Sequence, residues 1–150
     1  QAANTALEKT PNHRGAIMCK ALVFISQKTY PEANEELNYL INFLEKNIQD
    51  DDLTGIGTLA AAYANRGIIK DRKENYEGAL EDYLKAIKID EEAVGGPGFG
   101  TVILNYKFKS SSVKKRAIYI YEQLQLPEND RVLKIKALDE GQVMHKPGKL

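Results

Sequence analysis

The spacing of small and aromatic residues between positions 63 and 86 constrains this chain more than any other feature. Tyr63 is followed by Gly67, and the next run places Ala79, Tyr83 and Ala86 at helical intervals. These spacings set rings and minimal side chains on the facing sides of two successive helices. A glycine or alanine at a helix contact lets two backbones approach closely, and a neighbouring ring fills the space beside it.

Laid over a 34-residue helix-pair pattern, the stretch resembles a tetratricopeptide repeat. Tyr63 falls on the first large packing position, Gly67 on the small one, Ala79 and Ala86 on the small positions of the second helix, and Tyr83 on the aromatic between them. The resemblance implies an all-α fold, a right-handed α-solenoid of antiparallel helix pairs with about three repeats. Residues 1–13 then form the end of a preceding repeat helix, with Ala6 on its last small position and Pro11 terminating it. The first unit spans 14–47, with Ala21, Phe24 and Ala33 on packing positions and a break at 27–31, where Pro31 opens the second helix.

A linker at 48–59 follows, in which Asp50, Asp51 and Asp52 seed the next helix and Gly55 and Gly57 loosen the connection. The second unit spans 60–93, a glycine-rich linker 94–97 and the third unit 98–131, with 132–150 as a terminal cap or tail. Ala117 and Tyr121 match Ala79 and Tyr83, while Asn105 and Leu124 replace small residues and imply wider packing there.

The chain of 150 residues balances 21 basic against 21 acidic side chains, which argues against wholesale binding to polyanions. Cys19 is the single cysteine; its apolar surroundings predict a buried structural thiol, and no intramolecular disulfide can form. The apolar run from Ala21 to Ile25 is too short to cross a bilayer, and no signal segment opens the chain. Because Gln1 enters what reads as the middle of a helix, upstream sequence is expected, and cytoplasmic and periplasmic or secreted locations both stay open.

Chemistry-bearing constellations are sparse, so neither a cofactor nor a metal is expected. His13 and His145 are far apart, and the run Asp50 to Asp52 lacks the alternating ligands, central glycine and final glutamate of a calcium loop. The glycines at 95, 96, 98 and 100 lack the third glycine of a dinucleotide motif, where Ile103 stands, and the lysine ending of a phosphate loop. Ser111 with Lys114 and Ser112 with Lys115 satisfy the serine–lysine spacing of acyl enzymes without its companion motifs; they are expected in a turn, and the chain is read as non-enzymatic.

Lys107, Lys109, Lys114, Lys115 and Arg116 are interleaved with Tyr106, Phe108 and Tyr119, a composition used by single-strand nucleic-acid binders. Helical spacing sends Tyr106 and Phe108 to different faces, and Ile118 and Tyr121 read as core, so a solvated face is the better expectation and nucleic-acid binding the minor alternative.

What remains is protein binding. The resemblance implies a concave groove lined by the first helices of the units: Met18, Leu22 and Ile25; then Ala61, Ala64, Asn65, Ile68 and Arg72; then Phe99, Val102, Tyr106 and Lys109. Its partner is a peptide or protein segment, with Asn65 and Arg72 as polar contacts. The carboxylate clamp of chaperone-docking members is disfavoured, because only Asn65 matches it and Met18, Leu22, Phe99 and Ile103 stand at its other positions. The alternative is a structural or self-associating segment of a longer array, in which a second copy or a neighbouring repeat covers the apolar face.

Overall fold

The computed structural model describes residues 13–94 and 112–135, which form five α-helices and no strand. They are α1 (Arg14–Ser26), α2 (Tyr30–Asn47), α3 (Leu53–Arg72), α4 (Tyr76–Val94) and α5 (Ser112–Leu124), followed by a single 3-10 turn, Glu128–Asp130. Each helix packs on the next, and α1 also packs on α3.

The turns ending α1 and α3 are built alike. After α1, Lys28 adopts φ 60°, its N–H bonds the Ile25 carbonyl at 3.0 Å, and the Thr29 N–H bonds the Phe24 carbonyl at 2.9 Å. After α3, Glu74 adopts φ 63°, its N–H bonds the Asp71 carbonyl at 3.0 Å, and the Asn75 N–H bonds the Lys70 carbonyl at 2.9 Å. Both are the paired reverse bonds that close a helix with one left-handed residue. The same offset, from Lys28 to Glu74, relates Tyr30 to Tyr76, Ala33 to Ala79 and Ala21 to Gly67. Among the described residues, two consecutive helix pairs, α1–α2 and α3–α4, are therefore joined by the same turn. Pro31 sits in the first turn of α2, where its missing N–H costs nothing.

The core runs through both hairpins and into α5. Ala21, Ala33, Leu37, Leu40, Ala79, Tyr83, Ala86, Ala117 and Ile120 are wholly excluded from solvent, and Tyr63 nearly so. Gly67 is the closest approach: a Cβ built on it would lie 2.7 Å from Cδ1 and Cε1 of Tyr83 and 3.3 Å from the Ala79 carbonyl oxygen.

Five expectations change. Residues 53–59 belong to α3, so the connection between hairpins is only 48–52. Asp52 caps α3 by accepting the Gly55 N–H at 2.9 Å, and Gly55 is a buried helical residue instead of a loosened joint. Its missing Cβ leaves room for the ion pair of Arg14 with Asp52, since a Cβ there would lie 2.4 Å from Arg14 Nη1. Tyr121 is 42% exposed, because α5 turns Val113, Arg116, Ala117 and Ile120 inward and leaves 121 beside that stripe. Cys19 is exposed on the outer side of α1, beyond the buried positions Ala16, Ile17, Met18 and Ala21. Ser112, Lys114 and Lys115 begin α5 and do not form a turn.

Candidate interaction surface

One pair of the expected groove positions links α1 to α3. Asn65 Nδ2 lies 3.6 Å from Met18 Sδ, joining the two helices in the interior. Met18, Ile25, Ala61, Ala64, Asn65 and Ile68 are nevertheless all buried, so these side chains belong to the core and do not line an open trough. The physical reason is the small-residue content of α3: alanines at 60, 61, 62 and 64 bring neighbouring structure close enough to exclude water. Leu22 and Arg72 keep solvent-facing parts. The Arg72 guanidinium lies 6.0 Å from the Tyr30 ring centroid, and its Nη1 donates to the Tyr30 hydroxyl at 3.3 Å. Phe99, Val102, Tyr106 and Lys109 lie outside the described residues, as do Lys107, Ser111 and His145.

Sequence reading missed two polar clusters that fasten the helices. In the first, the Tyr63 ring centroid lies 5.2 Å from the Arg66 guanidinium and 5.4 Å from Lys85 Nζ, and its hydroxyl donates to Glu45. Arg66 grips Asp82 with two parallel bonds of 2.8 and 2.9 Å and also donates to Asn38 Oδ1 at 2.8 Å, while Lys70 reaches Asp82 at 2.9 Å. Burial, then the bond to Glu45, pushes the Tyr63 hydroxyl up to about 12. The Asp82 bond raises the Arg66 guanidinium further above its already high value, against the opposing effect of burial. One ring and one arginine thereby tie α2, α3 and α4.

The second cluster is deeper. Asp71 Oδ2 accepts from the Tyr83 hydroxyl at 3.0 Å and from Arg116 Nε at 2.8 Å, and its Oδ1 accepts from Arg116 Nη2 at 2.7 Å. Asp71 and Arg116 are both buried, so this is a bidentate ion pair held away from water. It removes Arg116 from any exposed basic patch, while Lys114 is half-buried and Lys115 exposed. A detectable signal existed: Asp71 continues the buried spacing of Ala60, Ala64 and Gly67 on α3, and Arg116 shares the inward stripe of Val113 and Ile120. A charge in phase with a core face calls for a buried partner.

These clusters fasten the helices to one another through charge-paired hydrogen bonds. Among the described residues, no group of three or more histidine, cysteine or carboxylate side chains is placed to hold a metal. No described helix is long and apolar enough to cross a membrane. No family model matches the chain, and comparison with curated proteins and with solved structures returns no match.

Proposed function

We propose that this chain is a non-enzymatic interaction scaffold: a right-handed α-solenoid of the tetratricopeptide type that holds a peptide or protein segment along its α1 and α3 side. The supporting observation is the recurrence of one hairpin design, with the same left-handed turn residue, the same tyrosine after it and the same small residues at the helix contacts. Its offset equals that between the frames 14–47 and 60–93. The packing of α1 on α3 as well as on α2 is what stacked helix pairs require. On this reading Leu22 and Arg72 are the accessible contacts, an apolar anchor and a cation beside an aromatic ring, with Phe99, Val102, Tyr106 and Lys109 as the third unit's contribution.

The test compares the full chain with Leu22→Glu/Arg72→Glu in pull-downs from native lysate, after circular dichroism has shown equal helicity. Ile68 is left intact because a glutamate at that fully buried site would unfold the protein. A polypeptide retained by the wild type and lost by the variant supports the reading. Equal capture by both, or no capture, removes this face as the docking site.

A further inference from the structure

After α5 the chain reverses and runs back along the helix it has just left, held chiefly through its main chain. Arg131 starts the return strand in extended backbone, φ −75° and ψ 133°. The Val132 N–H donates to Gln123 Oε1 at 2.7 Å, the Val132 carbonyl accepts from the Tyr119 hydroxyl, and the Leu133 carbonyl accepts from Arg116 Nη2 at 2.8 Å. Gln123, Tyr119 and Arg116 lie along one side of α5 at intervals of four and three, so they form a ledge that reads successive peptide groups of an extended strand. Leu133 packs against the core as the strand's apolar anchor, and Lys134 Nζ reaches Glu74 at 2.6 Å. Val132 itself is 57% exposed, so its side chain contributes little to the docking.

A ledge that bonds main chain does not distinguish whose main chain it holds. We infer that this side of α5 is a binding site for extended polypeptide, occupied in cis by residues 131–134. The partner is a segment of another polypeptide with the chemistry of the resident strand: a residue with a free N–H at the Val132 position, an apolar residue next, and a basic residue after it to meet Glu74. The shape of the ledge sets these requirements. Arg116 is fixed by Asp71 and is therefore preorganised to donate to the carbonyl before the basic residue, while proline at the Val132 position would leave Gln123 without its donor. This site is separate from the α1 and α3 face, and its fate is independent of that reading.

The test uses the full chain and a fluorescent peptide with the sequence of residues 128–135. The variant Val132→Pro weakens the resident strand by deleting one donor. Arg131 already has the backbone a pre-proline residue adopts, and Val132 is exposed, so folding is preserved. Fluorescence anisotropy should show the peptide binding Val132→Pro at least tenfold more tightly than wild type, because the tethered competitor has been weakened. Adding Tyr119→Phe and Gln123→Leu to that variant should lower the affinity about tenfold, and a peptide carrying proline at the Val132 position should bind neither chain. Equal binding to wild type and Val132→Pro, binding that ignores the ledge substitutions, or no binding to any variant overturns the inference. Sedimentation of Val132→Pro alone shows whether the strand of a second copy fills the ledge: a monomer that binds peptide places the partner in another protein, and a concentration-dependent dimer dissolved by the peptide places it in this one.

Discussion

Gly67→Ala separates a packing glycine from an ordinary helical one by the sign of its effect. In an exposed helix interior this substitution adds about 1 kcal/mol of stability, because alanine loses less backbone entropy on folding. At Gly67 the new methyl would stand 2.7 Å from two carbons of the Tyr83 ring, well inside contact distance. Tyr83 cannot swing away freely, since it is wholly buried and its hydroxyl is bonded to Asp71 at 3.0 Å. Overpacking of this kind costs ~1–3 kcal/mol, and distorting the Tyr83 bond costs about 1 kcal/mol more. Set against the helical gain, the net loss is about 1–3 kcal/mol, or a midpoint lowered by a few degrees up to about 10 °C in a domain of this size. Thermal and urea unfolding followed at 222 nm measure it. Gly15→Ala provides the control: a Cβ there meets His13 Cε1 at 3.4 Å, an ordinary contact at an exposed site, and should be neutral or slightly stabilising. If Gly67→Ala raised the midpoint as Gly15→Ala does, the close approach of α3 and α4 at Tyr83 would be refuted.

Asp71→Asn leaves the buried Arg116 without its counter-charge and should cost about 3–5 kcal/mol in urea denaturation, whereas Asp71→Leu/Arg116→Met, which removes both charges, should cost less than either single change. Asp52 is held below its usual carboxyl value by the bond from Arg14 and then by the Gly55 N–H. Its stabilisation is therefore present above the unfolded carboxyl value and lost as pH falls through the lowered one, so the stability gap between wild type and Asp52→Asn should close across that acidic window. Tyr63, pushed up to about 12, behaves oppositely: its contribution is intact below about 10 and disappears as pH rises through the folded value, and a 295 nm titration should lose a step near 12 in Tyr63→Phe. Lys28→Gly relieves a left-handed turn residue and should raise stability by about 0.5–1 kcal/mol in the same unfolding assays.

What the sequence disclosed well was local geometry. Pro31 marks a break because proline lacks an N–H, Asp52 caps because a short carboxylate reaches the Gly55 N–H, and Gly67, Ala79, Tyr83 and Ala86 declare close packing by their size. What it hid depended on neighbours distant in the chain. Gly55 reads as a loop residue until Arg14, 38 positions before the Asp52 cap, is seen to need its space. The groove positions were assigned to a face, but their exposure depends on what packs over them, and six of them are core. Tyr121 shows the same limit on a finer scale, since a shift of one residue along α5 moves the inward position to Ile120.

The two hairpins share a turn but differ where they meet the rest of the molecule. In α1–α2 the paired positions are Ile25 and Leu37, both apolar and fully buried; in α3–α4 the equivalent positions are Asp71 and Tyr83, joined by a hydrogen bond. The second hairpin has therefore exchanged an apolar contact for a polar one at the site where Arg116 of α5 enters. Such a pair contributes little net stability compared with well-packed apolar residues, because both charges lose their hydration. Its effect is on choice. Against Ile25 the buried guanidinium of Arg116 would stand unpaired, so α5 is favoured on the second hairpin and penalised on the first, although both are closed by the same turn. The same arginine donates to the Leu133 carbonyl, so the order of packing and the placement of the return strand are set by one side chain. The packing order of these helices is fixed where one interface carries a charge that only one partner neutralises.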